Sequence, residues 1–347
     1  MNIKSLVILI LILLVGAGAY FYSGTQQSFN ASDNIGIAIL PDLQAALNNI
    51  DELEVVGADN QVLSTVVRDD TGWTVKQRNA YPADISKVRA ALLSLAEAKI
   101  VEEKTSNADL YSKLGVEDVA ASEAQGVKAA LKYNNQLAEL IVGNPGPQIN
   151  KSRYVRPADS QTSWLVDRKI DLKHQPEYWL KKDILSVEPN EVASITITLQ
   201  DGAVLEIANT NDENNTFKVT NLTDESAQVV DAELHQVANA LSSFQLLDVV
   251  SHEEFKQESA TMNISYRLKS GANIDLQAYD VDDDHYAAVT SSLSADIADE
   301  NKDAAQSYVE QINQVTSGWV YKIPNVTYDS MYKREADVLA ITEDQLN

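Results

Sequence analysis

Asp59-Asn60-Gln61-Val62-Leu63 returns in the same chain as Asp201-Gly202-Ala203-Val204-Leu205. Leu53 to Val56 precedes the first turn pair, and Val62 to Arg68 follows it. Ile195-Thr196-Ile197-Thr198-Leu199 precedes the second pair, and Val204 to Ala208 follows. Asn, Asp and Gly tolerate the positive φ of tight hairpin turns, and alternating apolar residues suit a strand with one buried face. Both stretches therefore read as β-hairpins, and the chain contains the pattern twice.

The likeness extends outward from the hairpins. A third strand follows in each, Gly72-Trp73-Thr74-Val75 and Thr216-Phe217-Lys218-Val219. Next comes one amphipathic helix in each. Ile85, Val88, Leu92 and Leu95 form the first apolar stripe, and Leu234, Val237, Leu241 and Phe244 the second. This spacing marks a helix packed on a sheet. Pro82 suits the first turn of the first helix and Asp231 the N-cap of the second. Short strands follow at Ile100-Val101 and Val249-Val250, then paired strands at Val127 to Tyr133 with Leu137 to Val142, and Met262 to Leu268 with Ile274 to Ala278. Arg153-Tyr154-Val155 and His285-Tyr286-Ala287 come next, then Trp164-Leu165-Val166 and Trp319-Val320-Tyr321. Each copy closes on Tyr-x4-Asp-[Ile/Val]-Leu, at Tyr178 to Leu185 and Tyr332 to Leu339, read as a short helix.

The expected fold is α+β: two related modules of mainly antiparallel sheet, each packed with an amphipathic helix, behind one N-terminal transmembrane helix. The expected boundaries are 1–22 for the anchor, 23–50 for a linker, 51–189 for module one and 190–347 for module two. Module two has an insert at 294–315, where Ile297, Ala304, Tyr308, Ile312 and Val315 fall on one helical stripe.

Ser5 to Tyr22 holds no charged side chain, and at ~1.5 Å per residue such a run spans a bilayer core. Tyr20, Phe21 and Tyr22 sit where an interfacial aromatic belt would lie. Lys4 is the only charged side chain before Asp33, so the positive-inside bias leaves the N-terminus cytoplasmic and the body outside. A cleavable signal peptide ending at Ala17-Gly18-Ala19 is the rival reading, and it exports the body equally. The expected location is the bacterial inner membrane, single-pass, with a periplasmic body.

The 347-residue chain carries a formal charge of -24 and no cysteine. The charge opposes binding to nucleic acid, and the missing cysteines exclude disulfides, thiolate metal sites and a Cys nucleophile. His174, His235, His252 and His285 are scattered without metal-ligand spacing. Asp280, Asp282, Asp283 and Asp284 form the densest carboxylate cluster, but without the Gly and distal Glu of an EF-hand they read as a solvated loop. Asp212-Glu213-Asn214-Asn215 reads the same way, and Gly143-Asn144-Pro145-Gly146-Pro147 reads as a rigid turn. Trp73, Trp164, Trp179 and Trp319 are assigned to the core rather than to sugar stacking. No residue is assigned a catalytic, cofactor-binding or metal-binding role, and no enzyme activity is expected.

Several stretches carry a resemblance. These are Gly72-Trp73-Thr74-Val75, Tyr81-Pro82-Ala83-Asp84, Tyr111-Ser112-Lys113-Leu114-Gly115-Val116, Leu140-Ile141-Val142-Gly143 with Arg153-Tyr154-Val155-Arg156, and Tyr178-Trp179-Leu180 leading to Asp183-Ile184-Leu185. In them the chain resembles the bacterial family catalogued as domain of unknown function 4340. The resemblance implies a membrane anchor, an extracytoplasmic body and association with ABC-type transport systems that have gliding-motility auxiliary components. The expected function is a non-enzymatic binding or scaffold subunit of such an envelope complex, with an inner-membrane protein as partner. The alternative is a periplasmic protein that binds a glycan or peptidoglycan fragment in a cleft between the modules.

Overall fold

The computed structural model describes residues 34–148, 151–212, 215–257 and 259–340. The apolar segment at 5–22 lies outside the described residues, and none of the described helices is long and apolar enough to cross a membrane. The described residues of 34–50, 56–61 and 91–172 form one compact unit, and those of 51–55, 62–90 and 173–340 form the other. Module two as read from sequence falls inside the second unit; the residues of module one are shared between the two.

The first part of the chain runs α1 (Leu43–Ala46), β1 (Ile50–Val56), β2 (Val62–Asp69), β3 (Gly72–Val75), β4 (Tyr81–Pro82) and α2 (Ile85–Ala96). Then come β5 (Ile100–Thr105), α3 (Tyr111–Leu114), β6 (Val127–Tyr133), β7 (Gln136–Pro145), β8 (Arg153–Pro157), β9 (Ser163–Val166) and β10 (Asp183–Leu185). The second part runs β11 (Val192–Leu199), β12 (Val204–Asn209), β13 (Phe217–Val219), α4 (Asp231–Asn239), β14 (Phe244–Gln245) and β15 (Asp248–Ser251). It ends with β16 (Met262–Leu268), β17 (Ala272–Val281), β18 (Asp284–Leu293), α5 (Lys302–Thr316), β19 (Trp319–Ile323) and α6 (Asn325–Met331).

The strands pair antiparallel, so the class is α+β with mostly antiparallel sheet. Strand order recurs as well. The run β3-β2-β1 has its counterpart in β13-β12-β11, and β6-β7-β8-β9-β5 in β16-β17-β18-β19-β15. Turn chemistry fixes the registers. Tyr133 pairs with Gln136 across Asn134 and Asn135, whose φ values are 48° and 61°. Val281 pairs with Asp284 across Asp282 and Asp283, at φ 50° and 70°. Asn and Asp accept this left-handed backbone because their short polar side chains bond locally.

In the second unit, Met262, Ile264, Tyr266 and Leu268 alternate inward along β16, and α4 buries Leu234, Val237 and Ala238. The buried Tyr266 hydroxyl donates to the Val237 carbonyl at 2.9 Å, which fixes helix against strand. Each buried aliphatic side chain stabilises by about 1.5–3 kcal/mol relative to exposure. In the first unit, Leu131, Leu140, Ile141, Val155 and Val166 are buried along β6 to β9.

Several local expectations need correction. Pro82 belongs to β4, and Asp84 caps α2 by accepting the Ser86 amide at 2.9 Å; Ile85, at its start, is exposed. Asp231 is the first helical residue of α4 rather than its cap, so it acts on the helix dipole. Leu241 and Phe244 are buried but lie beyond that helix, with Phe244 in β14. The closing motif is not a helix in the first copy: a 3-10 turn at Pro176–Trp179 leads into strand β10. In the second copy a 3-10 turn at Glu335–Val338 precedes a bridge from Leu339 to Val229.

The insert does contain a helix, α5, packed on β17 and β18, but its buried positions are Ala305, Val309 and Thr316. Ala304 and Val315 are exposed, and Ile297 precedes the helix. The stripe is offset by one residue because Asn313 is turned to the sheet. There it accepts the Ser291 amide at 2.8 Å and donates to the Ser291 carbonyl at 2.7 Å.

Candidate functional site

The Gly143 to Pro147 stretch leads to the site, and only its last two residues, Gly146 and Pro147, lie in the connection from β7 to β8. Gly143, Asn144 and Pro145 are the last residues of β7. A Cβ on Gly143 would lie 2.3 Å from the Leu114 carbonyl oxygen and 2.7 Å from that of Gly115. One on Gly126 would lie 2.2 Å from the Gly115 oxygen. The backbone after α3 thus rests directly on strand backbone, and only glycine permits the approach. Gly115, at φ 66°, ends α3 in the left-handed conformation. Tyr111 and Val116 on either side of it are buried against Ile141, and Glu117 follows.

A pocket of about 560 Å³ opens beside this loop, within the first unit. Tyr111, Glu117, Asp118, Arg156, Ser160 and Gln161 are among its walls. Arg156 projects from β8 and is only 5% exposed. Its Nε donates to the Val116 carbonyl at 2.9 Å and its Nη1 to the Ser160 carbonyl at 2.9 Å. The guanidinium lies 4.8 Å from the Tyr111 ring centre, a cation–π distance. The Tyr111 hydroxyl donates to the Gln161 carbonyl. Two segments distant in sequence, Tyr111 to Val116 and Arg156 to Gln161, are therefore clamped around one cation.

The clamp uses no carboxylate. Among the described residues, Arg156 takes part in no ion pair, and its Nη2 makes no hydrogen bond. Arg78 in the second unit is the contrast. Its Nε and Nη2 fork onto Asp248 at 2.6 and 2.8 Å, with Glu177 at 3.5 Å, and the Asp248 bond raises its pKa. Glu117 is the mirror case to Arg156. Both of its carboxylate oxygens are buried and without a hydrogen-bond donor. Two opposite charges thus line one pocket, the Glu117 oxygens buried without a donor and neither charge paired with the other. Each unpaired buried charge costs several kcal/mol, so such groups call for a functional account.

The residues singled out in the sequence lie elsewhere. His174 and His252 are exposed, and His235 packs edge-on to Phe217 at 5.6 Å. His285 stacks on Tyr328 at 3.9 Å and lies 3.7 Å from Asp280. The Asp280 to Asp284 cluster is the hairpin turn between β17 and β18, with Asp284 bound to Lys322 at 2.5 Å. Among the described residues, no group of three or more His, Asp or Glu is placed to hold a metal ion. Asp212 bonds the Thr216 amide at 3.0 Å, while Glu213 and Asn214 lie outside the described residues.

Trp164 and Trp179 are buried, and Trp179 donates to Ser64 Oγ at 3.1 Å. Trp73 and Trp319 are half-buried, with Arg68 over the Trp73 ring at 6.0 Å and Tyr81 edge-on to Trp319 at 5.1 Å. Sequence reasoning missed Arg156 and Glu117. The signals present were a second arginine in a short strand, Arg153-Tyr154-Val155-Arg156-Pro157, and three glycines upstream of it, Gly115, Gly126 and Gly143.

Fold and site together define an α+β protein of antiparallel sheets in which one unit carries a pocket with unpaired charges. The chain belongs to the family described as Domain of unknown function (DUF4340), which matches residues 73–271, more than half of its length. That stretch includes every residue of the pocket. No curated protein and no solved structure matches the chain.

Proposed function

We propose that this chain is a non-enzymatic binding subunit of the bacterial cell envelope. Residues 5–22 hold it in the inner membrane, and its body, built from two copies of one module, works on the periplasmic side. The observation that carries a binding role is the pocket around Arg156 and Glu117, where opposite buried charges await partners. The uncharged N-terminal run supports tethering, which raises the effective concentration of the body at a membrane partner. The family resemblance names an ABC-type transport complex as the partner to look for.

Crosslinking in cells at native expression, followed by purification in mild detergent, tests this reading. An inner-membrane protein, with transporter subunits foremost, is expected in the crosslinked product. Recovery of the chain alone would count against it. A reporter fused to the C-terminus should be active only in its periplasmic form; activity of a cytoplasmic reporter would overturn the topology.

A further inference from the structure

We infer that the pocket of the first unit binds a zwitterion of the amino-acid or short-peptide class, its carboxylate on Arg156 and its ammonium on Glu117. The inference rests on the binding role proposed above and names the ligand chemistry. Arg156 is 5% exposed, and two of its nitrogens are committed to backbone carbonyls at 2.9 Å. Carbonyl dipoles orient the guanidinium but leave its net charge uncompensated. The third nitrogen is held rigidly for an anion, since the other bonds and the Tyr111 ring fix the plane. Glu117 offers the complementary need, two carboxylate oxygens with no donor.

An anion alone would satisfy Arg156 and leave Glu117 unpaired. It would also meet the exposed carboxylates of Asp118 and Asp159 at the rim. A cation alone would suit the acids and leave Arg156 without a counter-charge. A molecule carrying both charges satisfies both walls. The volume of about 560 Å³ falls within the range of small-ligand sites and admits a few residues of peptide. Binding requires the half-buried Glu117 side chain to turn its carboxylate toward the incoming ammonium.

Calorimetry on the full-length protein in mild non-ionic detergent tests this with L-alanine, L-alanyl-L-alanine and tri-L-alanine, each free, N-acetylated and C-amidated. At least one free form is expected to bind, and the length series shows whether an amino acid or a peptide is the better fit. Blocking either end should weaken binding by about tenfold or more, the loss of one charge-assisted contact. Equal binding of the acetylated form removes Glu117 from the site, and equal binding of the amidated form removes Arg156. Either result overturns the zwitterion, as does no binding of any free form at about 10 mM.

Glu117→Gln keeps the shape and removes the unpaired charge. It should raise Tm by about 2–4 °C while abolishing the response to free peptide. A lowered Tm would make Glu117 a structural group, and unchanged binding would place the ammonium elsewhere; both sink the proposal. The crosslinking experiment on the same protein separates the two levels. A captured partner with no peptide binding leaves the binding role standing and removes only the zwitterion; neither result removes both.

Discussion

Two strand-to-strand connections at matching places in the recurring strand order differ sharply. Between β8 and β9 the chain uses residues 158–162, and between β18 and β19 it uses 294–318, including α5. The long connection packs on the sheet and bonds Ser291 through Asn313. The short one leaves the carbonyls of Ser160 and Gln161 to be taken by Arg156 and Tyr111 at the wall of a pocket. The strands differ in the same sense. β18 buries Ala287, Ala288 and Val289, whereas β8 buries Val155 together with Arg156. The same frame can thus be filled by a helix over an apolar strand or left open around a charge. The open version is the one to which the proposed ligand is assigned, because there the Glu117 carboxylate is buried without a donor beside an Arg156 that has no counter-charge.

The largest effect should come from the glycine that seats the site loop. Gly143→Ala forces a Cβ to within 2.3 Å of the Leu114 carbonyl oxygen, so backbone must move. A loss of about 3–4 kcal/mol is expected in denaturant unfolding. Gly202→Ala is the comparison in the second copy. Its φ is 88° but nothing lies within 4 Å of the new carbon, so it should cost only about 1–2 kcal/mol of backbone strain. Equal losses would show that close packing under the pocket is not special.

Arg156→Ala comes next. It leaves the carbonyls of Val116 and Ser160 without donors, for an expected loss of about 2–3 kcal/mol. Arg156→Lys retains the charge but lacks the planar fork that spans two carbonyls, so it should recover less than half of that. Full recovery by lysine would mean that charge alone, and not the clamp, holds the loop.

The strands, hairpin turns and recurring order were legible because each depends on neighbours in sequence. Alternation along β16 and the paired Asn and Asp residues at the turns are local signals. Ile85 was misread because a helix stripe says which residues share a face, not where the covering surface stops. The stripe of α5 slipped by one because Asn313 binds the sheet through hydrogen bonds, which an apolar count does not register. Arg156 was quoted within a strand yet given no role. Its burial depends on Tyr111, Val116 and Ser160, which only the fold brings together. Glu117 was invisible for a related reason: one acid among 51 becomes notable only when its oxygens are found without donors.

Alkaline titration should separate the two units more gently. Burial pushes the Tyr81 hydroxyl up to about 12 and raises Tyr266 and Tyr321 further, and all three lie in the second unit. A raised folded-state pKa keeps its stabilisation fully below the unfolded value near 10.0 and loses it as pH climbs through the folded value. Between pH 10 and 12 the second unit should therefore weaken, with Tyr81 alone worth about 2 kcal/mol. Hydrogen exchange followed against pH reads each unit separately. Earlier opening of the first unit would contradict the assignment.

The smallest effect concerns the covered connection. Asn313→Ala removes both bonds to Ser291, leaving an amide and a carbonyl of β18 to water or to nothing. Because Asn313 is half-buried, water replaces part of what is lost, and about 1–2 kcal/mol is expected. The change should appear as faster amide exchange at Ser291 and at the buried Val309 of α5, with the strand pairing of β17 and β18 preserved. Exchange around Arg156 should not move, since the filled and open connections are separate solutions within the same strand order. If Asn313→Ala instead loosened the whole second unit, α5 would be part of the frame rather than a cover added to it. The comparison between a covered strand pair and an open one would then lose its basis.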